Sequence, residues 1–175
     1  LPISDPTAHN YNPDAAEDDG SCETCDDGIQ NGDETGIDCG GVLCGPCLPF
    51  ITTWKTDNQG VSCSSCITIP TTGGGYNYDV DWENDGIYDD FGVSGNITHD
   101  YGVPGTYQVA IRGAFPRIFF NDGSYNSSST SDAEKILSID QWGDIAWASM
   151  DNAFRGCTNL AGHAIDVPDL SNVTT

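Results

Sequence analysis

The stretch YNYDVDWENDGIYDD, residues 76–90, begins like a β-strand and ends as an acidic loop. Its first half alternates apolar and polar residues and favours aromatic and β-branched types, which is the pattern of a half-buried strand. Four other segments share this pattern: FITTW (50–54), SCITIP (65–70), NITHDY (96–101) and TYQVAIRG (106–113). Because Gly- and Asn-rich breaks separate these segments at short intervals, we predict a mainly β fold, with a β-sandwich over residues 49–120.

The composition excludes several classes of function. Acidic residues outnumber basic ones 27 to 5, which gives a formal net charge of -22. So few Lys and Arg side chains cannot neutralise the phosphates of nucleic acid, and an anionic membrane repels such a surface for the same reason. The chain is not a disordered acidic tail, because it contains 4 Trp, 7 Tyr and 6 Phe. No apolar run is long enough to span a bilayer and no catalytic motif is present, so we expect neither a membrane span nor an enzyme.

The acidic half of the opening stretch has the residue spacing of a calcium loop. Counting from Asp81, oxygen-bearing side chains occupy positions 1, 3, 5 and 9, and Gly86 occupies position 6, where a sharp turn is needed. Position 12 is Gly92 rather than the Glu of an EF-hand, so we predict a β-hairpin calcium loop instead. The predicted ligands are Asp81, Glu83, Asp85, the backbone carbonyl of Ile87, Asp89 and Asp90.

The alternative interpretation of this loop is a solvated hairpin tip without an ion. Two like charges about 4 Å apart repel by about 1 kcal/mol in water, and by several times more where the dielectric constant falls. Clustered carboxylates are therefore tolerable when exposed and costly when packed. The ligand spacing favours calcium.

Seven of the eight cysteines lie between residues 22 and 66, partly with Cys-x-x-Cys spacing. Such clusters bind zinc or form disulfides. Their flanks are Asp, Gly and Asn, so we predict disulfides in an exported protein and leave the connectivity open. CSSC at 63–66 could be a redox pair, but it lies between strands, which favours a structural disulfide. The predicted disulfide cysteines are Cys22, Cys25, Cys39, Cys44, Cys47, Cys63 and Cys66, whereas Cys157 is expected to be buried as a small apolar side chain.

The first 48 residues resemble two modules of exported proteins of Bacteroidetes. DPTAHNYNP and EDDGSC carry the resemblance of residues 1–21 to a short acidic repeat, and CDDGIQNGDETGIDCGGVLCGPC carries that of residues 22–48 to a Cys-rich module. The second resemblance implies that Cys25, Cys39, Cys44 and Cys47 pair among themselves. Neither segment has enough aliphatic side chains for a hydrophobic core, so each needs disulfides or metal ions to stay ordered.

Both acidic modules are therefore predicted to bind calcium. In residues 22–48 the predicted ligands are spaced to fold back on a single ion: Asp27, Asn31, Asp33, Glu34 and Asp38. In residues 1–21, Asn and Asp also serve as ordinary turn formers, and the calcium interpretation stands beside that one. The candidate ligands there are Asp5, Asn10, Asn12, Asp14, Asp18 and Asp19.

The remainder of the chain resembles the start of a BspA-type leucine-rich-repeat surface protein. The matching segments are YDVDW, THDYGVPGTYQVAIRG, ILSIDQWGDIAW, MDNAFRGCTNL and PDLSNVT. The resemblance implies a sandwich similar to a polycystic-kidney-disease (PKD) domain at 49–120 and the first unit of a leucine-rich β-solenoid at 134–175. A Ser/Asn-rich segment at 121–133 lies between the two, and its composition predicts a linker or a surface insertion. Within the solenoid unit we expect one short helix with Met150, Phe154 and Cys157 on one face.

These observations predict an extracellular, calcium-stabilised structural or adhesion protein of a bacterial surface, and a candidate fibre subunit. Its expected partners are calcium ions and other copies of itself, or surface proteins and glycans. The alternative is a carbohydrate-binding or targeting module of a larger secreted enzyme, which would require an exposed platform of Tyr76, Tyr78, Trp82 and Tyr107. Matches to the N-glycosylation pattern occur at Asn96, Asn126 and Asn172.

Overall fold

The computed structural model describes residues 34, 36, 39–42, 44–120 and 131–173. The chain divides into two compact units, Leu1–Leu48 and Pro49–Thr175. The described part of the chain is mainly β and contains no helix. Its strands are β1 (Phe50–Lys55), β2 (Cys66–Ile69), β3 (Asn77–Asp81), β4 (Asp90–Val93), β5 (Ile97–Asp100), β6 (Thr106–Ala114), β7 (Ile136–Gln141) and β8 (Ala161–Gly162).

The strands of the second unit form an open six-stranded sheet and a two-stranded ladder. The large sheet has the order β4-β3-β6-β1-β7-β8, and the ladder pairs β2 with β5. Pairing is antiparallel except between β7 and β8, which run parallel. All five segments that alternate in sequence contain a strand, as expected when one face of each strand is buried.

Alternation in β1 shows how the sequence builds the core. Phe50, Thr52 and Trp54 are buried, whereas the residues between them are half-buried on the opposite face. Side chains from both sheets join one cluster, including Ile67 and Ile69 from the ladder. Burying a large apolar side chain contributes about 1.5–3 kcal/mol, so this cluster is the main source of stability for the unit. Its largest members are Trp54, Trp82, Trp147, Tyr78, Phe50, Phe115 and Phe120.

Strand β7 belongs to the same sheet as the predicted sandwich strands. Strand β1 pairs with β6 on one side, where Phe50 faces Ile111, and with β7 on the other, where Trp54 faces Ile136. The predicted boundary before residue 134 therefore lies within one sheet. The parallel pair β7–β8 is short, and the described residues do not form a solenoid.

The prediction of a short helix near residues 150–157 is wrong. This segment is a series of turns in which Ala153, Arg155 and Cys157 each donate a backbone hydrogen bond to the residue three positions earlier. Asn152 and Gly156 have positive φ angles of 53° and 83°, which interrupt a right-handed helix. Cys157 is half-buried against the core.

The described part of the first unit is organised around a disulfide between Cys39 and Cys47. Gly36 makes a backbone bridge to Cys39. A Cβ atom at Gly36 would lie 2.7 Å from the Cys39 sulfur and 2.8 Å from the Cys47 sulfur, so only glycine lets the chain approach the disulfide so closely. Cys44 is also disulfide-bonded.

Candidate metal centre

Asp81, the last residue of β3, folds the acidic loop around its own carboxylate. The side chain is buried, with 1 % of its surface exposed. Its Oδ1 accepts backbone hydrogen bonds from Glu83 and Asp85, both at 3.2 Å, and its Oδ2 accepts one from Gly86 at 2.8 Å. Gly86 has a φ of 89°, which a side chain would strain. The loop is therefore held by one carboxylate and turned by one glycine.

The loop brings three carboxylates together. One oxygen each from Asp81, Glu83 and Asp89 lie within 4.8 Å of one another, and we call these residues the acidic trio. Two hydrogen bonds position Asp89. Its backbone N–H donates to the Val80 carbonyl at 2.8 Å, and its Oδ2 accepts the N–H of Trp82 at 3.1 Å. Strand pairing between β3 and β4 closes the loop beneath these residues.

The environment of Glu83 in the trio disfavours its ionised form. Partial burial, followed by the nearby charges of Asp89, Asp81 and Asp85, raises the pKa of the Glu83 carboxyl above its usual value. His99 acts in the opposite direction. A raised pKa means that the folded loop disfavours the ionised carboxylate, and a divalent cation would remove that penalty.

Three of the predicted loop ligands lie outside the trio. Asp85 accepts the N–H of Ile87 at 2.9 Å, and Asp90 accepts the indole N–H of Trp82 at 2.8 Å. The side chain of Ile87 is exposed. Ligand spacing alone does not show which carboxylate oxygens converge, because that depends on how the loop folds.

A buried aromatic group supports the start of the loop. Trp82 is fully buried and stacks on His99, with ring centroids 4.8 Å apart. The hydroxyl of Tyr101 donates to the Trp82 carbonyl at 2.8 Å. Burial raises the pKa of Tyr101, and the charge of Glu83 adds to the increase, so the phenol stays protonated and continues to donate. No local sequence pattern indicates this positioning role of Tyr101.

The donor chemistry of the trio fits a hard divalent cation. Carboxylate oxygens suit calcium or magnesium better than softer metals. Calcium takes about six to eight oxygens, so water or further protein oxygens would have to complete its shell. Without an ion, the same trio is an exposed acidic cluster, with Asp81 alone buried.

Among the predicted ligands of the acidic modules, the structure describes Glu34. It is buried, and its Oε1 lies 3.2 Å from the sulfur of Cys44. Because Cys44 is disulfide-bonded, this is a packing contact rather than a thiol hydrogen bond. Outside the described residues lie the other candidates, namely Asp5, Asn10, Asn12, Asp14, Asp18, Asp19, Asp27, Asn31, Asp33 and Asp38, together with Cys22, Cys25 and Asn126.

A second group of potential ligands surrounds the CSSC turn. Cys63 and Cys66 form a disulfide, and their sulfurs lie within 4.8 Å of a carboxylate oxygen of Asp100. Strand pairing places Asp100 opposite Cys66. The Cys-x-x-Cys spacing indicates the two cysteines but not Asp100, because 34 positions along the chain separate it from Cys66.

Two of the predicted glycosylation asparagines are described, and both are exposed. The side-chain oxygen of Asn96 accepts hydrogen bonds from the N–H and hydroxyl of Thr71, at 2.7 and 2.8 Å. Asn172 lies in a turn.

The fold and the two residue groups define a β-rich, disulfide-containing protein with carboxylates able to hold a metal ion. No protein-family model, curated protein or solved structure matches the chain. Within the described ranges, no helix is long and apolar enough to cross a membrane.

Proposed function

We propose that this chain is an extracellular structural or adhesion protein whose acidic loop is stabilised by calcium. The observation that carries the proposal is the convergence of Asp81, Glu83 and Asp89 at one end of β3. Repulsion among these side chains opposes the folded loop, and a bound cation would convert that repulsion into attraction. Calcium binding would then contribute directly to the folding free energy.

The burial of the aromatic residues favours a structural role rather than carbohydrate binding. Tyr76, Tyr78 and Trp82 are buried in the core. Tyr107 is half-buried and stacks against Tyr101, with ring centroids 3.6 Å apart. A sugar-binding platform needs flat aromatic faces open to solvent, whereas these rings contact each other and the core.

The proposed location and partners rest on covalent chemistry and charge. Disulfides such as Cys39–Cys47 and Cys63–Cys66 persist mainly in oxidising compartments, which favours a secreted protein. The edge strands β4 and β8 offer backbone groups through which another copy could add a strand. A net charge of -22 opposes such contacts unless cations screen it, so calcium would favour assembly as well as folding.

Thermal unfolding of the oxidised full chain, with calcium and with a chelator, tests the proposal. Calcium at about 100 times its Kd adds about 2.7 kcal/mol, which raises the Tm of a chain of this size by roughly 5–10 °C. The key variant is Asp89→Asn, because an amide oxygen can still accept the Trp82 N–H while the charge is lost. Asp57→Asn is the matched control, since Asp57 is exposed in a different loop and pairs with Lys55.

We expect the calcium-dependent rise in Tm to persist in Asp57→Asn and to shrink in Asp89→Asn. An unchanged Tm in the wild type on adding calcium would refute the stabilising role. A rise that survives Asp89→Asn would refute the assignment to this loop. Magnesium at the same concentration reports on selectivity, because its stricter octahedral geometry fits a loose carboxylate loop less well.

A further inference from the structure

We propose that the CSSC turn becomes a metal site when its disulfide is reduced. The ligands would be the thiolates of Cys63 and Cys66 and the carboxylate of Asp100. Two sulfurs and one oxygen suit a borderline-soft divalent cation such as zinc, with water in the fourth position. This site is separate from the acidic trio and does not depend on the calcium proposal.

The disulfide is accessible from one side. Cys63 is exposed, whereas Cys66 is buried at the start of β2, with 8 % of its surface exposed. A dithiol reductant can therefore attack the Cys63 sulfur, breaking the S–S bond and releasing Cys66 as a thiolate. The second thiol of the reductant then displaces Cys63 from the mixed disulfide. The reductant leaves as its own disulfide, and each protein thiol loses its proton to solvent when the metal binds.

The frame of the turn does not depend on the S–S bond. The ammonium of Lys135 is buried beneath the turn and donates to the Cys63 carbonyl at 2.8 Å and the Cys66 carbonyl at 3.0 Å. It also donates to the carbonyl and hydroxyl of Ser62, at 3.2 and 2.7 Å. These bonds would hold both cysteine backbones in place after reduction. The charge of Lys135 is balanced by Asp132, which is also buried and 3.9 Å away.

Asp100 is held in position by neighbours that would remain after metal binding. Its Oδ1 accepts the hydroxyl of Ser65 at 2.6 Å and the N–H of Gly102 at 2.8 Å. Hydrogen bonds of this kind orient metal ligands in proteins. Ser65 also accepts the N–H of Tyr101 through its carbonyl at 3.0 Å, which ties the turn to the end of β5.

The distances allow tetrahedral binding with small movements. Zinc–sulfur bonds of about 2.3 Å place two sulfurs roughly 3.8 Å apart. The three donor atoms already lie within 4.8 Å of one another, so reduction need only let the sulfurs separate within that span. The nearby carboxylate, which would disfavour free thiolates, becomes a stabilising ligand once a cation is bound.

Cobalt binding to the reduced full chain tests the site, because thiolate-bound Co²⁺ absorbs in the near ultraviolet. The protein is reduced anaerobically with a phosphine, which competes less for metal than a dithiol, and titrated with Co²⁺ before and after reduction. We expect the absorption in reduced protein and not in oxidised protein. Asp100→Asn should weaken cobalt binding by about tenfold or more, whereas the matched surface variant Asp57→Asn should bind as wild type.

The double variant Cys63→Ser/Cys66→Ser controls for cobalt binding by the other cysteines. Loss of the thiolate absorption in this variant would support the site, whereas an unchanged absorption would place the metal on other cysteines and overturn the proposal. Asp100→Asn retains the disulfide during folding, so it gives an independent answer if the double variant folds poorly. Equal cobalt affinity in Asp100→Asn and wild type would remove Asp100 as a ligand and refute the three-ligand site.

Discussion

The hydroxyl of Tyr101 donates a hydrogen bond to the backbone carbonyl of Trp82 at 2.8 Å, joining the end of β5 to the start of the acidic loop. Trp82 in turn donates from its backbone to Asp89 and from its indole to Asp90. One buried residue therefore connects the small ladder to two carboxylates of the loop.

Removing this link should destabilise the protein and loosen the loop. Tyr101→Phe keeps the ring but leaves the Trp82 carbonyl without its phenol donor, and we expect a loss of about 1 kcal/mol in the free energy of unfolding. Denaturant unfolding monitored by tryptophan fluorescence measures the loss. The matched control is Tyr107→Phe, which removes a hydroxyl that donates to the nearby Val103 carbonyl. A loss in Tyr107→Phe as large as that in Tyr101→Phe would contradict the proposed link.

Glu83→Gln should stabilise the metal-free protein and weaken its response to calcium. The folded-state pKa of Glu83 lies above its unfolded value, so the folded protein holds this proton more tightly. Stability is therefore lost as the pH rises from the ordinary glutamate pKa through the folded pKa. Unfolding with chelator across this pH range should show the decline in wild type and a smaller decline in Glu83→Gln.

The calcium arm of the same experiment separates the two effects of Glu83. With calcium present, Glu83→Gln should lose the advantage that it has in chelator, because a ligand is missing. Asp85→Asn removes a charge from the same loop outside the acidic trio and should change the calcium response less. Equal responses in both variants would show that the loop senses total charge rather than the trio.

Replacing the buried Lys135 should destabilise the protein more than replacing most other polar residues. Lys135→Met removes the donor to four oxygens and leaves Asp132 buried without its counter-charge. We therefore expect the free energy of unfolding to fall by about 3–5 kcal/mol. Lys55→Met, which breaks an exposed pair with Asp57, should have a much smaller effect. Chemical denaturation measures both. The double variant Asp132→Asn/Lys135→Met should lose less than the sum of the single losses if the pair is coupled.

Trp147→Ala tests whether residues 49–173 unfold as one unit. Trp147 is fully buried and packs edge-to-face against Phe50, with ring centroids 5.1 Å apart, and against Phe115 at 6.0 Å. We expect the free energy of unfolding to fall by about 3–5 kcal/mol. Calorimetry and fluorescence should both show a single unfolding transition, shifted to lower stability. A separate transition that keeps its wild-type midpoint would instead show that residues 134–175 fold independently.

Trp147→Phe is the conservative partner of that variant. Among the described side chains, the indole N–H of Trp147 is one of the buried polar groups that has no hydrogen-bond partner. Phenylalanine keeps most of the ring and removes this unsatisfied donor, so its loss of stability should be clearly smaller than that of alanine. Equal losses would mean that the ring packing is not what Trp147 contributes.

Local alternation located five strands, but it did not identify β4, and it did not show that β7 joins the same sheet. The DFGV sequence of β4 is short and follows the acidic loop, so its pairing with β3 becomes visible only through contacts such as Tyr78 with Val93. The apolar pattern of β7 by itself predicts the start of a new repeat unit. Sequence spacing cannot show that Ile136 pairs with Trp54, because sheet partners distant along the chain leave no local periodic signal.

The sequence alone determined the strand character, the acidic loop with its turning glycine and the cysteine turn, since alternation, glycine conformation and short residue spacing are local properties. Only the tertiary structure decided which carboxylates converge: Asp89 joins Asp81 and Glu83, while Asp90 bonds to the indole of Trp82. It also decided that Asp100 lies beside Cys63 and Cys66. These outcomes depend on competing donors and on pairing between distant strands, which exist only once the chain has folded.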